Sequence, residues 1–366
     1  MSRLERVLFV DHTTVLGGAE LSLARFLRSD AGSSSAIAFL TPDTADEWGL
    51  PPSVRIAHTD GVAGRTGIRS LVEELKSIIA SVDPDVVVAN SFSSAQYLAF
   101  VPKRGRRYVY FLRQEALPDA LPRTKSILNR IFVLRRFDRF FANSDWTAST
   151  LPKSIDRRRV VISRPISGVV ADTGSKKRFG SVPMKVLTLS RLSPWKGVHT
   201  AIEAVKSINH ETPGSVSLTV AGGDLFGEED YSEHLRSLSV GVDVRFTGHT
   251  SDTRSLLTEA HVLLCLSTTP EPFGQVVIQG MASGCVVVAT DQGGPREVIH
   301  DGVDGFLVPP EDPVAVSAVI RALRADPALA ARVSQNARAR ATDFEDAVTI
   351  QRFEEALAGV LPRRER

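Results

Sequence analysis

The stretch I-R-S-L-V-E-E-L-K-S-I-I-A-S-V-D-P-D-V-V-V-A, residues 68–89, carries two structural signals in succession. In residues 68–80, apolar side chains recur at intervals of three and four, which is the spacing that gives a helix one apolar face. Residues 85–89 are a short β-branched run, typical of a parallel strand covered on both faces. A helix followed by a buried strand is the repeating unit of parallel α/β proteins, so this stretch predicts that fold class.

The same alternation continues along the chain in both directions. It lapses only between residues 163 and 183, where prolines, glycines and the polar run S-K-K-R cluster. The strand-like runs are 7–11, 85–89, 107–112 and 139–143 before this lapse, and 185–190, 217–221, 244–248, 261–266 and 286–290 after it. Two successive βαβ arrays predict an α/β protein of two doubly wound, Rossmann-like domains that face each other across a cleft.

These patterns divide the chain into four predicted segments. Residues 1–165 form the first domain, residues 166–183 a linker, and residues 184–342 the second domain. An amphipathic helix is expected over residues 344–357. Residues 343–366 are therefore predicted to pack back on the first domain.

Composition narrows the class of protein. The 366 residues are 43% apolar and 23% charged, and the net charge of +2 indicates no particular partner. No apolar run approaches the roughly 18 residues of a membrane span, and the charged N-terminal stretch is typical of a first strand and not of a signal peptide. Two cysteines, Cys265 and Cys285, lie in strand-like runs and are expected to be buried free thiols. A cytoplasmic location is expected, without a disulfide scaffold.

The loop S-R-L-S-P-W-K-G, residues 190–197, follows the first strand of the second domain. Ligands of open α/β sheets bind beyond the carboxyl ends of the strands. Arg191 and Lys196 place two cations there, at the start of a helix, and such an arrangement suits a diphosphate. The alternative is a solvated loop with incidental basic residues.

A second polar stretch, E-P-F-G-Q-V-V-I-Q-G-M-A-S-G (271–284), begins with an acid and an aromatic–glycine turn. A helix is expected to start near Gln275, so that the amides of Gln275 and Val276 point at the phosphates of a ligand. Glu271 and Gln279 are eight positions apart, which is about 12 Å along a helix and comparable with the distance from sugar to ribose in a nucleotide diphosphate sugar. The alternative is an ordinary amphipathic helix with a polar residue on its solvent face.

Several motifs follow one another in an order found in one enzyme family. They are G-G-A-E (17–20), A-N-S (142–144), Arg191…Lys196-Gly197, A-G-G-D (221–224), F-T-G (246–248), Glu271-Pro272-Phe273-Gly274, G-C-V-V-V-A-T-D-Q-G-G-P-R-E (284–297) and D-G-V-D-G-F-L-V-P (301–309). In these motifs the chain resembles glycosyltransferase family 4, the retaining sugar transferases of the two-domain GT-B fold. The resemblance runs from about residue 6 to the C-terminus and is most specific in the second half.

The resemblance implies an enzyme that moves a sugar, with retention, from a nucleotide diphosphate sugar to a hydroxyl of a glycan, lipid-linked or natural-product acceptor. The first domain would bind the acceptor and the second domain the donor. No metal and no other cofactor is expected, because cationic side chains and helix amides supply the charge that a metal would otherwise supply. No D-x-D cluster between a strand and a helix is present to bind a metal.

The resemblance also assigns residues to roles. Arg191 and Lys196 would bind the donor diphosphate, and Glu271 would contact the sugar hydroxyls; these three are the predicted catalytic residues. Gly17 and Gly18 have no side chains that would shield their backbone N–H groups. These N–H groups are expected to lie close to donor phosphate or acceptor. The predicted donor-binding residues are Gly17, Gly18, Gly248, Phe273, Gly274, Gln275, Val276 and Gln279.

Gln279 departs from the family pattern. At this position the family usually has a glutamate that grips the ribose hydroxyls, and a neutral amide forms weaker hydrogen bonds than a carboxylate. The change predicts lower donor affinity or a different donor. A uridine or guanosine donor and a thymidine donor, whose deoxyribose needs fewer acceptors, all remain open.

A second departure lies in the first domain. The family often has a histidine near the reaction centre, after a later strand of this domain, and the chain has Y-F-L-R-Q-E (110–115) and Ala89-Asn90-Ser91 in the corresponding places. Only His12 and His58 lie in the first 165 residues. The predicted acceptor-side residues are Glu20, Asn90, Arg113 and Glu115, the last two as substitutes for the histidine. In the retaining mechanism the leaving phosphate can itself take the acceptor proton, so loss of a base need not abolish activity.

Residues 103–139 contain eleven basic and three acidic residues. Within this segment, apolar residues lie among arginines at helical spacing over residues 122–139. Three interpretations are open: a helix with a solvated basic face, peripheral contact with an anionic membrane or a phosphate-bearing lipid acceptor, and nucleic-acid binding. Neither a binding motif nor aromatic interleaving supports nucleic acid, which is therefore not expected as a partner.

Other functional classes fit the same scaffold. A nucleotide-sugar epimerase or phosphorylase is one alternative, although the spacing of Arg191, Lys196 and Glu271 favours transfer. A catalytically silent nucleotide-sugar binding protein is another, suggested by Gln279 and by the missing histidine.

Overall fold

The computed structural model describes residues 4, 6–60, 67–116, 132–170, 179–224, 228–250 and 252–362. The chain divides into two compact units. The first comprises Met1–Gly168 together with Asp346–Arg366, and the second comprises Val169–Glu345.

The strands of the described residues form one sheet in each unit. They are Val7–Asp11 (β1), Ala36–Phe39 (β2), Arg55–His58 (β3), Val86–Ala89 (β4), Arg107–Leu112 (β5), Arg139–Ala142 (β6), Val160–Ile162 (β7), Met184–Leu189 (β8), Val216–Ala221 (β9), Val244–Gly248 (β10), Val262–Cys265 (β11), Val286–Thr290 (β12) and Phe306–Val308 (β13). The first sheet has the order β3-β2-β1-β4-β5-β6-β7 and the second has the order β10-β9-β8-β11-β12-β13. All pairs of named strands are parallel. Each unit is thus doubly wound, which confirms the predicted fold class.

Helices separate the strands. They are Gly18–Arg28 (α1), Ile68–Val82 (α2), Phe92–Leu98 (α3), Asp145–Ser149 (α4), Val198–Glu211 (α5), Glu229–Leu238 (α6), Thr253–Glu259 (α7), Gln275–Ala282 (α8), Pro295–Val298 (α9), Pro313–Ala325 (α10), Pro327–Ala341 (α11) and Asp346–Ala358 (α12). Among the described residues, no helix is both long enough and apolar enough to cross a membrane.

Alternate residues of each central strand enter different apolar layers. In β1, Leu8 and Val10 pack in one layer, whereas Val7 and Phe9 pack in the other. The strand β12 divides its residues between two layers of the second unit in the same way. Since side chains of a strand point alternately to its two faces, a strand buried on both faces must be apolar at every position. This requirement explains the unbroken apolar runs of the sequence.

The helix α12 completes the core of the first unit. Its residue Phe353 is 3% exposed, and its ring centroid lies 4.6 Å from that of Phe26 in α1. It also packs against Phe9, Phe111 and Phe141, which come from three strands of the sheet. The last helix therefore fills an apolar layer of the first unit.

The boundary between the units differs in detail from the predicted segments. Residues 166–168 belong to the first unit, where the backbone N–H of Ile166 donates to Ser22 Oγ at 2.9 Å. At the other end, Phe344 lies in the core of the second unit, where its ring centroid is 6.2 Å from that of Phe273. The last helix starts only at Asp346.

Four strands are absent from the predicted set: β2, β3, β7 and β13. Each has only three or four residues. The edge strand β3 is mostly exposed and contains Arg55 and His58, so its sequence lacks the continuous apolar pattern of the central strands.

Both cysteines are free, as predicted, and Cys285 is buried whereas Cys265 is partly buried.

Candidate functional site

The predicted donor residues of the second unit lie beyond the carboxyl ends of β8 and β11. These two strands are neighbours, and the strand order reverses between them: β9 and β10 lie on one side, β12 and β13 on the other. In open parallel sheets, a ligand binds in the crevice at such a switch point. The loops that contain Arg191 and Lys196, after β8, and Glu271, after β11, therefore start from the strand ends where a ligand is expected.

The structure brings Lys196 and Glu271 into direct contact. Lys196 Nζ lies 2.6 Å from Glu271 Oε2, and the same carboxylate oxygen accepts a hydrogen bond of 2.9 Å from Ser267 Oγ. The side chains of Lys196 and Glu271 are 17% and 21% exposed. The Lys196 ammonium also lies 3.8 Å from the centroid of the Trp195 ring, a cation–π contact. Both charged groups are thus held at one place while part of each faces solvent.

A small cavity of about 60 Å³ adjoins this ion pair. Its wall includes Lys196 and Glu271 together with Gly274, Gln275 and Val276 at the start of α8. The amino end of a helix carries partial positive charge and favours an anion. The cavity therefore combines an ammonium, a carboxylate and a positive helix end, as the sequence predicts for Lys196, Glu271, Gly274, Gln275 and Val276.

Cys265 also lines the cavity. Burial, together with the nearby charge of Glu271, raises the pKa of the Cys265 thiol to about 12. The thiol is consequently protonated at neutral pH and is a poor nucleophile.

Arg191 occupies an adjoining position. It is exposed and lines a second cavity, of about 150 Å³, with Gly222, Gly223, His249 and Thr250. Ser190 lines both cavities. Arg191 and Lys196 thus border neighbouring depressions and do not line a single one.

Three predicted donor-binding residues of the second unit do not line the cavity beside the ion pair. The side chain of Phe273 is 3% exposed and packs against Phe344, so it belongs to the core and only its backbone can border a ligand. Gly248 ends β10, where its carbonyl accepts the N–H of Gly222 at 2.9 Å. Gln279 is partly buried one turn beyond Gln275 and lines neither of the two cavities.

Several residues of the site were missed by the sequence analysis. Ser267 and Trp195 hold the ion pair, and Gly293 and Gly294 support the backbone of Glu271. Gly294 N–H donates to the Glu271 carbonyl at 2.8 Å, and a Cβ at Gly293 would lie 2.3 Å from that carbonyl oxygen. The consecutive glycines in D-Q-G-G-P were a visible signal of this close backbone approach.

The first unit contains a second polar cluster, at the carboxyl ends of β1, β4 and β5. Asp11 is fully buried at the end of β1, and its Oδ2 accepts a hydrogen bond of 2.6 Å from Asn90 Nδ2. Arg113 Nη2 and Nε donate to Asn90 Oδ1 at 2.8 and 3.0 Å, and its Nη1 donates to Ser22 Oγ at 3.3 Å. The guanidinium lies 3.5 Å from the centroid of the Phe111 ring. Burial lowers the pKa of Arg113 to about 10, so it remains a cation at neutral pH.

Glu20 joins this cluster from α1. Its carboxylate accepts the N–H of Gly17 at 3.1 Å, and Gly17 N–H also faces the Val15 carbonyl at 3.2 Å. The capping carboxylate thus takes the N–H of Gly17 in this structure, and the placement of Gly17 close to donor phosphate or acceptor stays a prediction. Gly18 is the first residue of the helix. Burial, and then the charge of Asp11, raise the pKa of Glu20.

The structure thus brings together three of the four predicted acceptor-side residues, Glu20, Asn90 and Arg113. Glu115 is partly buried two residues beyond Arg113. Two residues that were not predicted, Asp11 and His12, lie at the centre of the cluster.

Ligand atoms of Asp11, His12 and Glu20 lie within 4.8 Å of one another, the spacing of a metal site. Asp11 is already hydrogen-bonded to Asn90 and His12, and Glu20 to Gly17. The cluster also contains the Arg113 cation. The atoms that could bind a metal therefore already form hydrogen bonds within the protein. This arrangement fits a hydrogen-bonded network better than a metal centre.

Of the basic segment 122–139, residues 122–131 lie outside the described residues. Residues 132–136 are helical, and the exposed ring of Phe132 lies 5.0 Å from that of Phe100. Arg104 and Arg135 are exposed in the same two chain segments as these rings. Two exposed aromatic side chains thus contact each other here, and each chain segment that contains one of them also contains an exposed arginine.

Comparisons with known proteins agree with the architecture. Residues 175–340 match the family model "Glycosyl transferases group 1". The chain is 34% identical to glycogen synthase of Mycobacterium tuberculosis over 167 residues, which are 44% of this chain and 39% of that protein. It is 34% identical over 208 residues to the lipopolysaccharide core biosynthesis glycosyltransferase LpsE of Rhizobium meliloti, covering 54% of this chain and 58% of LpsE. The matches thus span about two fifths to three fifths of these relatives.

Solved structures extend the likeness to both units. The crystal structure of Anabaena HepE with UDP and glucose has a TM-score of 0.80 at 24% identity, covering 96% of this chain and 99% of HepE. Sucrose-phosphate synthase of Thermosynechococcus elongatus has a TM-score of 0.78 at 19% identity, covering 97% and 99%. Residues 175–340 are thus similar to group 1 glycosyltransferases, and the whole chain has the fold of these solved structures.

Proposed function

We propose that this protein transfers a sugar, with retention and without a metal, from a nucleotide diphosphate sugar to a hydroxyl acceptor. The observation that carries the proposal is the contact of 2.6 Å between Lys196 and Glu271, beside the start of α8 and at the switch point of the second sheet. Structures of HepE contain UDP and UDP-glucose, which supports a uridine donor here as the first to test.

In this proposal the two charged groups address different parts of the donor. Lys196 and the first-turn amides of α8 bind the diphosphate, and Glu271 accepts hydrogen bonds from sugar hydroxyls. As the bond between the sugar and the phosphate oxygen breaks, negative charge grows on the diphosphate. A fixed ammonium and a helix amino end stabilise that charge more than the charge of the ground state, which lowers the barrier. Arg191, in the adjoining cavity, adds a second cation.

Retention is supported by the resemblance to family 4. The hydroxyl would attack the face of the sugar from which the diphosphate leaves, so that the anomeric configuration is kept. The configuration of the first product, observed by proton NMR before mutarotation, tests this part of the proposal.

The central experiment compares two Lys–Glu pairs of the second unit. Lys196→Ala and Glu271→Ala remove the pair at the carboxyl end of the sheet, whereas Lys185→Ala and Glu259→Ala remove an exposed pair, 3.6 Å apart, at its amino end. Hydrolysis of UDP-glucose, GDP-mannose and TDP-glucose is measured for all four variants, with and without candidate acceptors. Loss of turnover in the first two variants only supports the site.

Other outcomes identify the alternative functions. An isomerised donor indicates an epimerase. Donor binding without turnover, even with acceptors present, indicates a silent binding protein.

We also propose peripheral contact with an anionic membrane through residues 122–139. The exposed pair Phe100 and Phe132, near the exposed Arg104 and Arg135, supports it, because interfacial binding combines apolar insertion with attraction to anionic lipid. Co-sedimentation with phosphatidylglycerol vesicles should fall in a Phe100→Ser, Phe132→Ser double variant. Ile68→Ser, at another exposed apolar residue of the same unit, is the control.

A further inference from the structure

The loop of residues 190–197, which contains both proposed diphosphate cations, is attached by its backbone to the two strands that flank β8. The N–H of Leu192 donates to the Gly223 carbonyl at 3.0 Å, and the Trp195 carbonyl accepts the N–H of Thr268 at 2.7 Å. Gly223 lies just after β9, and Thr268 lies just after β11. The path of the backbone is thus fixed at two points of the loop.

A carboxylate at the start of α6 adds a side-chain contact between these two points. Ser193 Oγ donates to Glu228 Oε1 at 2.5 Å, and Ser193 is 2% exposed. Glu228 directly precedes α6, and its Oε2 is buried without a hydrogen-bond donor among the described residues. Burial of a carboxylate oxygen without a donor costs stability. Stability alone therefore does not account for an acid at this position.

Tyr231, one turn further along α6, makes a contact on the far side of Lys196 in the sequence. Its hydroxyl lies 2.8 Å from His199 Nδ1 and 3.4 Å from the backbone nitrogen of His199. Burial raises the pKa of Tyr231 to about 12, so the hydroxyl is protonated at neutral pH and can donate. Ser193 lies three residues before Lys196, and His199 lies three residues after it. Side chains three positions apart lie on one side of a helix, so α6 contacts the chain on both sides of Lys196.

We infer that Glu228 and Tyr231 are positioning residues, which hold the loop of residues 190–197 so that the cations of Arg191 and Lys196 are in place for the donor diphosphate. This inference rests on the proposed sugar transfer, and it adds two residues that do not themselves touch the donor. A cation stabilises the leaving diphosphate best when it is already in place before the charge develops. A misplacement of about 1 Å can lower the rate by up to about 10²-fold.

A purely structural role of the bond between Ser193 and Glu228 predicts different behaviour. If the bond only stabilised the fold, its removal would lower the free energy of unfolding and the fraction of folded protein. The Kd of the remaining folded protein for a nucleoside diphosphate would not change, and only the number of binding sites per chain would fall. Calorimetry measures the Kd and the number of sites separately.

The test removes both partners of the bond together. It uses the nucleotide sugar that the parent hydrolyses fastest among UDP-glucose, GDP-mannose and TDP-glucose, and the nucleoside diphosphate of that donor. In the double variant Ser193→Ala, Glu228→Met, neither a hydroxyl nor a carboxylate is left buried without a partner, so the free energy of unfolding should equal or exceed that of the parent. The Kd for the nucleoside diphosphate should nevertheless rise about five-fold, the scale of one hydrogen bond. The kcat for donor hydrolysis should fall about ten-fold, because the cations are no longer fixed.

Three single variants complete the comparison. Glu228→Gln keeps an acceptor oxygen for Ser193, so its Kd should stay within about two-fold of the parent value. Tyr231→Phe removes only the hydroxyl, and it should raise the Kd as the double variant does. Ser215→Ala is the control, because Ser215 is also 2% exposed and donates to Asn209 at the amino end of the same sheet. Its Kd and kcat should equal those of the parent.

The indole of Trp195 reports on the loop independently of activity. The protein has three tryptophans, so labelling with fluorotryptophan gives three fluorine NMR signals, and that of Trp195 is assigned by its absence in Trp195→Phe. In the double variant Ser193→Ala, Glu228→Met, the Trp195 signal should shift or broaden. The signals of Trp48 and Trp146, which belong to the first unit, should not change.

The outcomes separate this inference from the function on which it rests. If the double variant binds the nucleoside diphosphate and hydrolyses the donor like the parent, the inference is wrong. Loss of binding sites at an unchanged Kd, or a raised Kd with an unchanged Trp195 signal, also overturns it. Tyr231→Phe decides in the same way if the double variant does not fold. If the parent neither binds nucleoside diphosphates nor hydrolyses any of the donors, the proposed function itself fails, and the role of both residues in donor binding fails with it.

Discussion

The ammonium of Lys196 and the carboxylate of Glu271 are 2.6 Å apart, although 75 residues separate them in the chain. In the protein without ligand, the two groups proposed for the diphosphate and for the sugar therefore neutralise each other. A bound donor must exchange this contact for two new ones. The pair consequently keeps both side chains positioned until the donor arrives.

Removal of either cation should slow the reaction. Lys196→Ala and Arg191→Ala should each lower kcat/KM at least ~10²-fold, because about 2.7 kcal/mol of charge stabilisation at the leaving diphosphate is lost. Steady-state kinetics with the preferred donor measure the effect, and Lys185→Ala is the control. Near-normal rates in both variants would remove the assignment of these residues to the diphosphate.

Glu271→Ala should separate binding from turnover. Turnover should fall because a contact to the sugar is lost. Affinity for free UDP should rise about three-fold, because Lys196 no longer has an ion-pair partner. A partly exposed ion pair contributes up to about 1 kcal/mol. Calorimetry with UDP, beside donor hydrolysis, checks both parts. Weaker binding of UDP in this variant would show that Glu271 supports the diphosphate site itself.

Gln279 tests the identity of the nucleoside. If its amide reaches the ribose, Gln279→Ala should weaken UDP by about 1 kcal/mol, or about five-fold, the scale of one neutral hydrogen bond. Gln279→Glu should raise the affinity for UDP and GDP. Its affinity for TDP should change little, because the deoxyribose of TDP lacks one hydroxyl. Calorimetry decides between these outcomes. Unchanged binding of all three nucleotides would make Gln279 an ordinary residue of the helix.

Gly197, next to Lys196, should be more sensitive to substitution than a glycine of similar backbone conformation. Gly197 and Gly241 have φ of +65° and +78°, but a Cβ at Gly197 would lie 1.9 Å from the Leu266 carbonyl oxygen, whereas a Cβ at Gly241 meets nothing within 4 Å. Gly241→Ala should lower the free energy of unfolding by about 1–2 kcal/mol, the cost of a left-handed residue. Gly197→Ala should cost at least about 2 kcal/mol more, because the backbone must move. Urea denaturation measures both, and equal losses would contradict the steric explanation.

Chelation should leave catalysis intact. The proposed site stabilises the diphosphate with Lys196, Arg191 and helix amides, so EDTA should not change the rate of donor hydrolysis. A loss of activity that magnesium restores would contradict this prediction.

The sequence predicted that Lys196, Glu271 and the start of α8 serve one site, and the structure brings these residues together. Their sequence signals are local. Arg191 and Lys196 lie in one loop after an apolar strand, and Glu271 precedes a recognisable helix start. The cluster around His12 was not predicted, because its members come from strand ends that only the order of the sheet makes neighbours: Asn90 is 79 residues from Asp11. The burial of the Phe273 side chain was not predicted for a related reason, since its packing against Phe344 depends on the tertiary fold.

Short strands were the other limit of sequence interpretation. The strands β2 and β13, which were not predicted, have four and three residues, although β4, β6 and β11 also have only four and were predicted. The long apolar runs of β1, β5, β8 and β12 were recognised because both faces of these strands are buried.

The position of Phe353 has a consequence for the order in which the chain folds during synthesis. This ring fills an apolar layer of the first unit, yet it is made by the ribosome after the whole of the second unit. The second unit, Val169–Glu345, can therefore complete its core while the first still has a gap bordered by Phe9, Phe26, Phe111 and Phe141. The half of the protein that is translated first should reach its native state last.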